Sequence, residues 1–253
     1  MRRCSEDVHE PSLGGRRLQR ALDRADPEPI VALLEPMVAS RRLNRIREVL
    51  AGRLDSVTVV LDSLHDPHNG AAVIRSCDAF GVARVHALEH KETFVASGAV
   101  AKGSQHWVDV IGHRSVGALL RSLEASAHQL VAAHPDGDLE PADLATIDRP
   151  ALVLGNEHAG IGSELLHACR ARVRVPMRGF VESLNVSVTA AVLLSSATAG
   201  RSGDLPALSS RRLYAAALVH SVPRSLEILA ARGIQVAPRT SITHGDRGNA
   251  ADR

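Results

Sequence analysis

Six short apolar runs, separated by stretches of helical character, constrain this chain more than any other feature. They are VTVVLDS (57–63), ARVHALE (83–89), HWVDVIG (106–112), QLVAAHP (129–135), ALVLGNE (151–157) and RVRVPM (172–177). The segments GAAVIRSCDAF, FVASGAVAKGS, SVGALLRSLEAS and GSELLHAC between them read as helices. Strands that alternate with helices predict an α/β domain with a parallel sheet. The 253 residues, 45% of them hydrophobic, suffice for one large domain or a domain with appendages.

The flanks differ from this middle. Residues 1–40 are polar and irregular apart from the apolar stretch IVALLEPMV and read as an extension with one helix. RRLNRIREVL (41–50) places Leu43, Ile46 and Leu50 at helical spacing and opens the main domain, 41–200. A helix rich in small residues is expected over 183–200, suited to close packing in a threaded core or between two copies. Residues 201–253 read as a helical extension broken near Pro223, with a tail whose composition is that of disorder.

Composition removes several function classes. No apolar run approaches the roughly 20 residues of a membrane span. The basic start lacks the apolar stretch of a secretory signal, so a cytoplasmic location is expected. Cys4, Cys77 and Cys169 form neither a disulfide framework nor a zinc pattern, and the thirteen histidines form no HExxH, so no metal is expected. Aromatics are 2% of the chain, which argues against an RRM or OB surface that stacks bases on aromatic rings, so any binding of nucleic acid is expected to go through charge and shape. Charge is uneven: residues 1–50 carry ten Arg against eight acids, and residues 201–253 eight Arg against four. Basic flanks suit a polyanion.

Ligands in an open parallel sheet bind at the carboxyl ends of the strands. Three strands end in unusual loops. The first leads to HDPHNG and, six residues after Asn69, to Arg75. Asn69 reads either as a helix cap or as part of a site; Arg75 reads either as a surface partner of Asp78 or as a functional cation. The fifth strand ends in LVLGNEHAGIG, with Gly155, Asn156, Glu157 and Gly160. The sixth ends in VPMRGFVESLNVSV, with Pro176, Met177, Ser183 and Asn185. No GxGxxG follows an early strand, which argues against a dinucleotide oxidoreductase.

Together, NGAAVIR, LVLGNEHAG and VPMRGFVESLNVSVTAAVLL resemble the three motifs of the SpoU group of SPOUT RNA methyltransferases. PHNGAAVIRSCDAFGV and GSQHWVDV are similar to the branch that methylates the ribose of the guanosine at position 18 of tRNA. The resemblance covers about residues 41–235 and departs from a Thr-containing form at AAH, 132–134. It implies a knotted parallel sheet with a deep trefoil knot, a homodimer, S-adenosylmethionine (SAM) as methyl donor and tRNA as substrate. It further implies that Arg75 carries catalysis with Asn69, Glu157, Ser183 and Asn185. The cofactor then falls to Ala133, Leu154, Gly155, Asn156, Val175, Pro176, Met177, Leu184 and Asn185. Arg41, Arg42, Arg45, Arg47, Arg211 and Arg212 are expected to bind tRNA phosphates. The alternatives are a ribosomal RNA ribose methyltransferase of the same family and a protein that holds RNA without turnover.

Overall fold

A computed structural model of the chain describes residues 22, 25–64, 66–88 and 107–236. The expected helix over 94–104, Cys4 and the tail beyond 236 lie outside the described residues.

All six expected strands are present: β1 (Leu54–Asp62), β2 (Val82–Leu88), β3 (Asp109–His113), β4 (Gln129–Ala133), β5 (Pro150–Leu154) and β6 (Ala171–Val173). They form one parallel sheet in the order β3-β2-β1-β5-β4-β6. The central strand β1 is buried along nearly its whole length. It shares Val59 with Val85 of β2 on one side and with Leu152 of β5 on the other. Side chains alternate faces along a strand. Val59, Leu61, Leu152 and Leu154 therefore enter one core, while Val60, Ala151 and Val153 enter another.

Helices cover both faces, as a parallel sheet requires. Helices α1 (Pro27–Leu34) and α2 (Ser40–Ala51) precede the sheet, and α3 (Pro67–Ala79) follows β1. Next come α4 (Val116–Ala125), α5 (Ser163–Ala168) and α6 (Val186–Ala197), and then α7 (Ala207–Ser221) and α8 (Ser225–Ala231). Val73, Ile74 and Cys77 of α3 meet Ala190, Leu193, Leu194 and Ala197 of α6 over the first face. Leu119 and Leu123 of α4 and Leu165 of α5 cover the second. Helix α6 starts three residues later than the expected 183, because Asn185 caps it by accepting from Ser187 N at 2.8 Å. Its small residues pack against α3, as those of an ordinary buried helix do.

A third core is entirely helical. Ile30, Val31 and Leu34 of α1 and Ile46 of α2 pack with Tyr214–Val219 of α7 and Leu229 of α8. The segments before and after the sheet thus form one helical layer. The expected break falls at Val222–Arg224, where Arg224 takes a left-handed φ of 57°.

Arg53, between α2 and β1, ties the start of the sheet to α3 and β2. Its side chain is only 2% exposed and donates to Asp78 Oδ1 at 2.6 Å and to Val82 O at 3.3 Å. Of the two readings of Arg75, the surface pair with Asp78 is not found among the described residues: the buried Arg53 guanidinium has the greater need of a counter-charge and takes the carboxylate. Asp78→Ala should lower unfolding free energy by about 2 kcal/mol, less than for a fully buried pair because Asp78 keeps some contact with water. A urea titration reads the loss, and an unchanged midpoint would remove Arg53–Asp78 as a tie.

His86 and His113 form a buried pair on β2 and β3, with Nδ1 and Nε2 2.9 Å apart and rings stacked at 5.1 Å. Burial, then the neighbouring His113, lowers the His86 pKa to about 3, and burial lowers that of His113. The unfolded chain takes up a proton on His86 near the ordinary 6.5, whereas the folded chain does so only near 3. This contribution to stability is complete above 6.5 and disappears as pH falls towards 3. Urea midpoints should drop across that interval, and less steeply in a His86→Leu/His113→Leu variant.

Candidate active site

The loops at the carboxyl ends of β1, β4, β5 and β6 build the site. β1 and β5 are neighbours, but β4 separates β5 from β6. Strand adjacency therefore explains only part of the convergence, and side chains complete it. Asn69 Nδ2 donates to Glu157 Oε1 at 2.7 Å, and Asn185 Nδ2 donates to Asn69 Oδ1 at 3.0 Å. One asparagine thus ties all three motif loops together. Asn69 is not the helix cap: Asp66 caps α3 by accepting from His68 N at 2.8 Å, with Pro67 next. Asn69 sits in the first turn with its amide free to reach across.

Local geometry holds the loops in place. Ser63, just past β1, adopts a left-handed φ of 51°. Such a conformation costs a non-glycine residue about 1 kcal/mol or more and collects at functional sites. Its carbonyl accepts from Asn156 Nδ2 at 2.7 Å, while Asn156 Oδ1 accepts from His158 N at 2.9 Å and Ala159 N at 3.1 Å. Asp62 Oδ2 accepts from Gly162 N at 2.7 Å. The 155–162 loop is thereby fastened at both ends to the end of β1. Gly155 has no room for a side chain, since an added Cβ would lie 2.5 Å from Ile161 N. Gly160 has φ +69°. These two requirements account for the glycines of LVLGNEHAG.

These loops enclose a cleft of about 500 Å³. Of the residues expected to bind cofactor, Ala133, Leu154, Gly155, Asn156, Val175, Met177, Leu184 and Asn185 line it; Pro176 does not. Glu157 and Ser183 line it as well. Sequence reasoning missed His134, Ile161, Glu182 and Thr189 on the wall and Ser63 at the hinge. Nothing in the sequence marks Ser63, whose role comes from its backbone angle. The wall suits a small organic ligand carrying a flat ring and a cation. Leu154, Val175, Met177 and Leu184 are apolar, and Glu157 and Glu182 are acidic.

Arg75 does not line this cleft. It lies exposed on α3 and, among the described residues, makes no hydrogen bond or ion pair. An exposed guanidinium with all its donors open suits a group brought in from outside.

The six expected RNA-binding arginines divide. Arg45 pairs with Glu48 at 2.9 Å, Arg47 with Glu35 at 2.6 Å and Arg211 with Glu28 at 2.7 Å. The Arg211 hydrogen bond holds Glu28 below the usual carboxylate range. Arg41, Arg42 and Arg212 have no carboxylate partner among the described residues. No group of three or more His, Cys, Asp or Glu able to hold a metal occurs among the described residues, and no described helix is long and apolar enough to cross a membrane.

The SpoU rRNA methylase family matches residues 56–195, from the third residue of β1 to near the end of α6. The chain belongs to the SpoU rRNA methylase family. The matched span includes all three motif loops and all but the first two residues of the sheet. Among SpoU relatives, the tRNA (guanosine(18)-2'-O)-methyltransferase of Escherichia coli (strain K12) is 38% identical over 156 residues, 60% of this chain and 67% of the relative. The crystal structure of the A. aeolicus TrmH/SpoU tRNA modifying enzyme superposes with a TM-score of 0.64 at 25% identity, covering 73% of this chain and 98% of that one. The SpoU methyltransferase AviRb from Streptomyces viridochromogenes, solved with AdoMet, gives 0.54 at 26% identity over 60% of this chain and 62% of its own.

Proposed function

We propose that this SpoU-family chain is a SAM-dependent tRNA 2′-O-methyltransferase acting on the ribose of guanosine 18 in the D-loop. The observation that carries the reading is the Asn69–Glu157–Asn185 tie, which closes three motif loops around one cleft, with Arg75, exposed and without a partner among the described residues, six positions after Asn69 on the same helix. The similarity to the Escherichia coli tRNA (guanosine(18)-2'-O)-methyltransferase supports the choice of substrate.

SAM, when bound, supplies a methyl group already activated on a sulfonium. Leu154, Val175, Met177 and Leu184 would cover its adenine, and backbone groups around Gly155 would be available to its polar edge. Glu157 and Glu182 place negative charge in a cleft that receives a cation. Arg75 grips the phosphate next to the target ribose through two parallel N–H bonds and so fixes the direction of the 2′-hydroxyl. Positioning of this kind can lower a barrier by several kcal/mol. Because Asn69 is anchored to Glu157 and Asn185, the helix carrying Arg75 keeps a fixed orientation towards the cleft. Ser183 lies on the same wall and completes the polar rim.

The reading extends to fold and assembly. The chain leaves β6 at the sheet edge and returns past β4 and β5 to bring Asn185 onto Asn69, a route that fits a trefoil knot. Phe180 is fully exposed, and Val181 and Val188 are 60% and 46% exposed. Apolar surface of this kind beside the cleft fits burial by a second copy in a homodimer. Arg41 and Arg42 are exposed and available to tRNA phosphates, Arg212 is half-buried, and a cytoplasmic location suits that substrate.

Label transfer from methyl-labelled SAM to unmodified tRNA and to ribosomal RNA tests the substrate class. Label in tRNA is expected; label confined to ribosomal RNA would move the activity to the other branch of the family. Affinity for tRNA should fall steeply with salt, because phosphate contacts release counterions, and a salt-independent affinity would contradict the arginine contacts.

A further inference from the structure

A second cleft, of about 630 Å³, lies at the opposite end of the sheet. It opens between the helical layer and the amino ends of β1 and β2, where Leu54 and Gly81 reach its wall. The nine residues of β1 separate it from the methyl-donor cleft by about 30 Å. Seams between packed layers are common ligand sites.

Its lining is unusual for this chain. The protein has one Trp, one Tyr and three Phe, and both Trp107 and Phe80 face this one cleft. Arg42 and Arg45 stand at its side on α2, both exposed. Neither is firmly held: Arg42 reaches Ser221 Oγ only at 3.4 Å, and the Arg45–Glu48 pair is more than 60% exposed at both partners. Exposed pairs of this kind are weak and exchange readily for a better acceptor. Arg53 also lines the cleft, with its guanidinium already paired to Asp78 at 2.6 Å.

Flat rings beside weakly held guanidinium groups match one ligand chemistry, a planar base carrying a phosphate. We propose that this cleft holds one nucleotide unit, with its base against Trp107 and Phe80 and its phosphate on Arg42 and Arg45. The nucleotide belongs either to an RNA strand that spans both clefts or to a free nucleotide. The RNA case rests on the tRNA reading above; the free-nucleotide case does not.

Trp107 is the sole tryptophan, so its emission reports on this cleft directly. The experiment titrates the full chain with guanosine 5′-monophosphate and, separately, with unmodified tRNA. Excitation is at the red edge of indole absorption, and S-adenosylhomocysteine is saturating to occupy the first cleft. Quenching by both is expected, with affinity reduced about tenfold in an Arg42→Gln/Arg45→Gln variant. Both positions are exposed, so that variant should fold. Quenching by the monophosphate alone would assign the cleft to free nucleotides, and quenching by tRNA alone, lost in the variant, to the RNA strand. Emission unmoved by either ligand, or quenching indifferent to the two substitutions, would overturn the proposal. Methyl transfer is measured on parallel samples of the same protein, with labelled SAM in place of S-adenosylhomocysteine. Intact transfer with unmoved emission would contradict the nucleotide cleft alone, and absent transfer would contradict the tRNA reading whatever the emission does.

Discussion

Arg75→Ala should lower methyl transfer at saturating cofactor by about 10²–10³-fold, the usual effect of removing one well-placed charged donor from a transition state. The fold should barely notice. Arg75 is exposed and has no partner among the described residues, so the unfolding free energy should change by less than about 0.5 kcal/mol. Arg75→Lys separates two roles. A lysine keeps the charge but loses the planar fork, so it should recover little activity if Arg75 grips a phosphate through two bonds. Single-turnover rates for the three proteins, with urea midpoints measured beside them, give the answer. Near-normal turnover in Arg75→Ala would remove Arg75 from the chemistry.

Gly155→Ala should act on the cleft itself. The added methyl lies 2.5 Å from Ile161 N, which is backbone and cannot rotate away. The 155–162 loop must move, although Asn156 ties it to Ser63 and Gly162 ties it to Asp62. Forcing a methyl into such packing costs about 1–3 kcal/mol, and most of that should appear as cofactor affinity weakened by tens- to a hundredfold. Calorimetric titration with S-adenosylhomocysteine measures it. The arrangement of the fifth-strand loop would be contradicted by an unchanged affinity.

Much of this site was legible in the sequence, for identifiable reasons. The strands are short, apolar and bounded by polar turns, so all six could be placed. Eight of the nine residues that the family resemblance assigned to the cofactor line one cleft, because the motif loops that carry them converge at the carboxyl ends of the strands. What sequence hides is partner choice. Asn69 preceded an apolar helix and so resembled a cap, but Asp66 had the better position. Asp78 stands three residues after Arg75 on the same helix, yet it serves Arg53, twenty-five residues away and buried. Three of the six expected RNA-binding arginines are paired to Glu28, Glu35 or Glu48, a competition that a count of positive charge does not reveal. The left-handed Ser63 leaves no trace in the sequence, since only the fold dictates its angle.

The most direct test of the central claim is to map the methyl group. Unmodified tRNA is incubated with this chain and labelled SAM, digested, and the modified nucleotide located by mass spectrometry. The account predicts 2′-O-methylguanosine at position 18. A methyl on a base, or on the ribose of another tRNA nucleotide, would contradict it.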